Sequence, residues 1–280
     1  MEYKDIFSSY TTPFSPIPTS LQHTGKLDGK IECIFFDVYG TLFLSGSGDI
    51  SIAKKESKEA KDLEKLLVRF GIRKTPETLL KELFTAIKNK HDELKDIGID
   101  YPEVEIDRIW MGVMGIDNVT VARRFSLEFE LIVNPVYPMP HLNEVLSGCR
   151  RQNVLMGIIS NAQFYTPLTF QWFLGSALHD LGFHSDIILF SYRFGRAKPS
   201  VFLFKLAADK LQEFGIPASA SLYVGNDMLN DIYPAKNAGF KTALFAGDSR
   251  SLRLKKEDRR CENLSSDIVI TDLLQLLDYL

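Results

Sequence analysis

The sequence predicts an α/β fold: a parallel sheet with helices on both faces, interrupted by a mostly helical insertion. Three observations predict it. Short apolar runs, too brief for helices and without polar alternation, recur at Ile31–Phe36, Val154–Ile159, Ile187–Phe190, Leu222–Val224, Thr242–Phe245 and Ile268–Ile270, as strands buried on both faces require. Between them lie stretches with helical spacing, such as Val201, Phe204, Ala207 and Leu211 followed by Gly215. Strand and helix in alternation build parallel sheets. The third observation is a gap of about 115 residues between the first run and the second, far more than a crossover needs.

That gap is helical. Ile52–Phe70 and Pro76–Ile97 read as amphipathic helices rich in Lys and Glu, Ile106–Met114 and Val119–Leu131 continue the pattern, and the proline-rich 134–140 returns as an extended linker to a helix at Leu142–Arg151. The expected organisation is an N-terminal arm over 1–30, an α/β core from 31–47 and 136–280, and an inserted domain over 48–135. The basic cluster Arg250–Arg260 reads as a solvated helix face.

Composition narrows the function. With 33 basic and 36 acidic side chains in 280 residues, the net charge is −3, and a nucleic-acid partner, which calls for a basic surplus, is not expected. No apolar run is long enough to cross a bilayer, and the first residues lack the basic and apolar regions of a secretory signal. Cys33, Cys149 and Cys261 are odd in number and far apart, which suits neither a disulfide framework nor a zinc site and points to the cytoplasm. No feature of the sequence sets an oligomeric state.

Ligands of open parallel sheets bind beyond the carboxyl ends of the strands. The first strand ends in Asp37-Val-Tyr-Gly-Thr41, the second in Ser160-Asn161, and the run at Leu222–Val224 in Gly225-Asn-Asp-Met-Leu-Asn-Asp231. Asp37 precedes Gly40, which permits a sharp turn with free backbone N–H groups. Asp227 and Asp231 stand four apart with Asn226 and Asn230 among them. Capping explains one of these acids, whereas oxygen ligands facing Asp37 would suit a hard cation such as Mg²⁺. Lys198 follows another strand and could balance the carboxylates or hold an anionic substrate.

These motifs, FFDVYGTLF (35–43), GIISNAQ (157–163), GRAKPSVF (195–202) and VGNDMLNDIYPAKNAGF (224–240), in this order, resemble those of the haloacid dehalogenase superfamily, with the insertion where that family carries a helical cap over a Rossmann-like core. The resemblance implies a Mg²⁺-dependent phosphohydrolase acting on a small phosphorylated metabolite. Asp37 would be the nucleophile that forms an aspartyl-phosphate. Thr41, Ser160, Gly40 and the backbone at Asn161 would hold the phosphoryl group, and Lys198 would neutralise its charge. Asp231 would position Lys198 or a metal-bound water, while Asp37, the Tyr39 carbonyl and Asp227 would bind Mg²⁺.

One position departs from the phosphatase pattern. Tyr39 stands where those enzymes place a second Asp as general acid and base, and a phenol is a poor base at neutral pH. Tyr at this position resembles the metal-independent 2-haloacid dehalogenase branch, which is one alternative; a catalytically impaired, ligand-binding member is another. Against the dehalogenase stand Phe204, where that branch has Tyr, and the acids of the last motif. Arg69 and Arg73 are the candidates for its cap arginine. Trp110 is expected to pack the insertion.

Overall fold

The computed structural model describes residues 3–46 and 57–280. Its centre is a seven-stranded sheet of β1 (Thr24–Gly25), β2 (Cys33–Phe36), β5 (Leu155–Ser160), β6 (Phe183–Phe190), β7 (Ser221–Gly225), β8 (Lys241–Phe245) and β9 (Ile268–Ile270), in the order β1-β9-β8-β7-β2-β5-β6. Every pairing is parallel except that of the edge strand β1 with β9. The alternation of side chains in β2 explains its unbroken apolar run. Ile34 and Phe36 join the core on one face and Cys33 and Phe35 the core on the other.

Helix α6 (Leu142–Arg151), α7 (Thr166–Leu174) and the terminal turns Leu273–Tyr279 cover the first face. Helix α9 (Phe202–Glu213) covers the second with Leu203, Phe204, Ala207 and Leu211, near the short α10 (Tyr233–Asn237). From β2 the chain moves to β5 and β6 on one side, then to β7, β8 and β9 on the other. The switch point where a crevice opens therefore lies at the carboxyl end of β2.

A two-stranded ribbon, β3 (Phe43–Ser45) against β4 (Val136–Pro138), leads out of this body and back. Beyond it lie α2 (Ser57–Arg69), α3 (Pro76–Asp96), α4 (Ile106–Met114) and α5 (Val119–Val133). Thr75 caps α3 by accepting from the Thr78 N–H at 3.3 Å, with Pro76 at the first helical position. These helices bury a core of their own, in which Trp110 packs against Phe125 and Phe129 with centroids 4.8 Å away in each case. The start of the helix expected at Ile52–Phe70 lies outside the described residues.

Two segments differ from the sequence reading. The first thirty residues contain a helix, α1 (Tyr3–Tyr10), whose Ile6 and Phe7 are buried beside Leu127 and Leu131 of α5, with Phe7 stacked 5.7 Å from Trp172 of α7. The basic stretch 250–260 is a run of turns rather than a helix. Tertiary pairing overrides its local preference: Arg253 donates its N–H to the Asn226 carbonyl at 2.9 Å and accepts from the Met228 N–H at 2.8 Å, while Leu252 and Leu254 pack near Met228 and Ile232.

Candidate active site

The turn after β2 begins with Asp37, whose N–H donates to the Val224 carbonyl of β7 at 2.9 Å. The chain then reverses at Gly40, at φ +86°, where a Cβ would lie 2.7 Å from the Asn226 amide and 2.8 Å from the Ser251 side chain. Only glycine satisfies both demands. The carboxylate of Asp37 thus stands between the ends of β5 and β7.

Lys198 reaches it from the loop beyond β6. Its ammonium donates to Asp37 Oδ1 at 2.7 Å and to Asp231 Oδ1 at 2.5 Å. A third contact is the Tyr223 hydroxyl at 3.0 Å, which itself lies 2.9 Å from Asp231 Oδ1 and 2.9 Å from the Ile159 carbonyl. Asn161 pins the lysine backbone twice, accepting from its N–H at 2.7 Å and donating to its carbonyl at 3.1 Å. Burial opposes the Lys198 charge, but Asp231 and Asp37 outweigh it and hold its pKa above the ordinary lysine value. Burial also raises the Asp37 carboxyl to about 6; Lys198 pulls the other way and Asp231 adds to the rise.

Asp227 caps the irregular turn Met228–Ile232, with Oδ1 accepting from the N–H groups of Leu229 at 2.8 Å and Asn230 at 3.0 Å. Its own N–H donates to Asp231 Oδ2 at 2.9 Å. Gly225 lets this turn fold back, since a Cβ there would lie 2.4 Å from Asp231 Cγ. Desolvation, reinforced by Asp231, raises the Asp227 carboxyl. Lys198 pairs with Asp37 and Asp231 but not with Asp227. Two of these three buried acids therefore share a buried ammonium, and the third does not.

Of the residues singled out from the sequence, Asp37, Tyr39, Asn161, Lys198, Asp227 and Asp231 line one cavity of about 530 Å³. Ser160 lies just behind. Its hydroxyl helps to stabilise the Asp37 carboxylate yet has no hydrogen-bond partner of normal geometry. Gly40 and Thr41 are not in the lining, and the Thr41 hydroxyl is spent on Asn226 Oδ1 at 3.1 Å rather than directed at the cavity. Tyr39 bonds Thr166 Oγ1 at 2.9 Å, and desolvation raises its phenol well above the ordinary value, so no proton acceptor stands there at neutral pH. Arg69 ion-pairs with Glu128 and donates to Tyr10 at 2.6 Å; neither it nor Arg73 lines the cavity. Trp110 is buried as expected and also lines the cavity.

Several residues escaped the sequence reading. Tyr223 completes the lysine's cage from within a strand. Arg253 and Lys255 line the cavity from the turns after β8, with Lys255 acting on Asp227, and Glu103, Ser126 and Glu130 line the far wall. A polar residue inside an apolar run was the available signal for Tyr223 and Glu130. Among the described residues, no three Asp, Glu, His or Cys side chains form a ready metal cage. The donor set singled out from the sequence offers only two carboxylates and a backbone carbonyl.

Comparison with known proteins places this geometry. The family model for haloacid dehalogenase-like hydrolases matches residues 31–239. A glyceraldehyde 3-phosphate phosphatase of Methanocaldococcus jannaschii is 28% identical over 89% of this chain and 96% of its own length. Two solved structures share the fold. A HAD phosphatase from Thermococcus onnurineus has a TM-score of 0.54 at 17% identity, over 89% of this chain and 97% of that one. A 2-haloacid dehalogenase from Pseudomonas syringae pv. tomato has a TM-score of 0.52 at 18% identity, with the same coverage of 89% and 97%.

Proposed function

We propose that this chain, which belongs to the haloacid dehalogenase-like hydrolase family, is a Mg²⁺-dependent phosphohydrolase that cleaves a small phosphorylated metabolite through an aspartyl-phosphate on Asp37. The observation that carries the reading is the imbalance of charge: Asp37, Asp227 and Asp231 are all buried, Lys198 ion-pairs with only two of them, and Lys255 acts on Asp227 without an ion pair. A divalent cation beside Asp37 and Asp227 would supply the balance. Two carboxylates and the Tyr39 carbonyl suit Mg²⁺, which keeps several waters and takes substrate phosphate oxygens. When bound, it would polarise the phosphoryl group.

This chain's own groups then do the rest. Lys198 holds one oxygen of Asp37 and orients the carboxylate toward phosphorus. It also offers its charge to the phosphoryl oxygens as the P–O bond to the leaving group breaks and the Asp37–phosphorus bond forms. Ser160, which steadies Asp37 without a hydrogen bond of normal geometry, can turn its hydroxyl to donate to a phosphoryl oxygen. Asp231 and Tyr223 hold the ammonium, and Asn161 fixes the backbone that carries it. Water later attacks phosphorus and breaks its bond to Asp37, which leaves as carboxylate; of the water's two protons, one ends on the alcohol released in the first step and the other stays with phosphate. We assign the cap to residues 48–135, an arm to 1–30 and the catalytic core to the remainder, with the β3–β4 ribbon as the connection along which the cap closes and excludes water.

The phosphatase name borne by the Methanocaldococcus relative supports phosphate chemistry and makes three-carbon phosphate esters the first compounds to test. Tyr39 favours the dehalogenase as a second reading; the absence of Arg69 and Arg73 from the described cavity wall weighs against it. Three buried, unpaired cysteines fit a reducing compartment, and we place the protein in the cytoplasm. Among the described residues, no helix is long and apolar enough to cross a membrane. The test is phosphate release from acetyl phosphate, an aryl phosphate and three-carbon phosphates. It should require Mg²⁺ and fall at least about a thousandfold in Asp37→Asn. Metal-independent chloride release from a 2-chloro acid, insensitive to Asp227→Ala, would replace this reading with the dehalogenase.

A further inference from the structure

The cavity that contains Asp37 continues beneath α3, α4 and α5, and its two ends carry different charge. The core end has Lys198, Arg253 and Lys255 in its wall. At the cap end, the described lining residues include no Lys or Arg, and its acids are Glu103 and Glu130. Glu103 is tied down by the Ser191 hydroxyl at 2.7 Å and the Val104 N–H at 2.9 Å. Glu130 is different. It is buried on α5, accepts from the Asn134 amide at 3.0 Å, is influenced by the nearby Tyr165 hydroxyl, and pairs with no cationic side chain among the described residues.

Polar atoms without partners stand on the same wall. Ser126, one turn before Glu130 on α5 and 1% exposed, has an unpartnered hydroxyl. On α3 the imidazole Nε2 of His91 is likewise buried without a partner. Leu83, Ile87, Trp110 and Phe129 supply the apolar surface between them. Buried polar atoms are ordinarily satisfied, so two on side chains that line one cavity mark the place of a ligand's own polar atoms.

We infer that the cap end receives an uncharged leaving group bearing hydroxyl or carbonyl oxygens, hydrogen-bonded by Ser126 and His91, and that Glu130 excludes leaving groups carrying a carboxylate. An incoming carboxylate would bring negative charge to a wall where burial already disfavours it on Glu130, where little solvent screens it and no described cation stands to pair it. A neutral alcohol meets no such repulsion and supplies the partners that Ser126 and His91 lack. The inference rests on the phosphohydrolase reading, and it names the class of ester taken.

Steady-state kinetics with Mg²⁺ on a matched pair test it. Glycerol 3-phosphate and 3-phosphoglycerate share a three-carbon skeleton and differ in the carboxylate. The neutral compound should have the higher kcat/KM by about tenfold or more. Glu130→Gln should narrow that ratio, mainly by lowering KM for 3-phosphoglycerate. Ser126→Ala should raise KM for glycerol 3-phosphate about tenfold, with a smaller fall in kcat. Equal or better turnover of 3-phosphoglycerate by the wild-type protein overturns the inference, as does a folded Glu130→Gln protein with an unchanged ratio. Should Glu130→Gln fail to fold, the wild-type ratio and Ser126→Ala decide. An aryl phosphate separates the two readings. If it is hydrolysed without any preference for the neutral ester, only this inference fails; if neither it nor either three-carbon ester is hydrolysed, the phosphohydrolase reading fails and takes the inference with it.

Discussion

At the core end of the cavity, Lys198 is held by two carboxylates and a phenol, and Asn161 grips its backbone from both sides. At the cap end, Glu130 faces no described cation, and Ser126 and His91 end in unpartnered atoms. The contrast teaches how labour divides. A reacting centre must be rigid before substrate arrives, because donors already in place need no reorganisation as charge develops. A recognition wall can leave groups unsatisfied, because the substrate satisfies them and thereby declares its identity.

Breaking the core end should have the largest effect. Lys198→Ala leaves Asp37 and Asp231 buried without their cation. Stability should fall by about 3–5 kcal/mol, read by denaturant melts, and phosphate release by at least a hundredfold. A variant with near-native turnover would mean that the lysine only fills space. Gly225→Ala is the next test, since its new methyl group would displace the Asp231 carboxylate, 2.4 Å away. A loss of about 1–3 kcal/mol should accompany weakened activity, whereas an inert substitution would show that Asp231 need not stand where it does.

Acidity offers a gentler probe. Burial holds the Asp37 carboxyl at about 6, above its ordinary 3.8. Between those values the folded protein binds more protons than the unfolded chain, so the contribution of Asp37 to stability grows as pH falls through this window and is lost as pH rises past 6. Asp227 and Glu130, both raised by burial, act with the same sign. The metal-free wild-type protein should show this slope more strongly than Asp37→Asn, and added Mg²⁺ should flatten it. A slope of opposite sign would place Asp37 in a better-solvated site than the structure gives it. The smallest effect should come from Thr75→Ala, which removes the cap of α3 far from Asp37. It should cost about 1 kcal/mol in thermal melts; a larger loss would mean that the capping bond supports more than one helix end.

How far the sequence could be read follows the same division. The strands were legible because residues buried on both faces leave an unbroken apolar run, and the strand-end acids because small polar residues rarely follow such runs in convergent places. Tyr223 was hidden inside one of those runs, where its ring packs against Phe204 at 4.8 Å while its hydroxyl turns to Lys198. Thr41 was legible as a site residue, but not its commitment to Asn226, which depends on a contact 185 positions away. The stretch 250–260 was misread as a helix because its extended pairing with Asn226 and Met228 is tertiary. Glu128 and Glu130 stood in plain view in an apolar helix, FSLEFELIV. Only the folded packing tells that Arg69 and Arg124 answer the first, while the second faces the cavity without a described cation.

The central claim is that Asp37 accepts a phosphoryl group with a metal ion held jointly by Asp37 and Asp227. Beryllium fluoride, a mimic of an acyl-phosphate, reports on it directly by fluorine NMR. The account predicts bound fluorine resonances from the wild-type protein only when Mg²⁺ is present, and none from Asp37→Asn or Asp227→Ala. Resonances of equal strength without Mg²⁺, or in either variant, would contradict it.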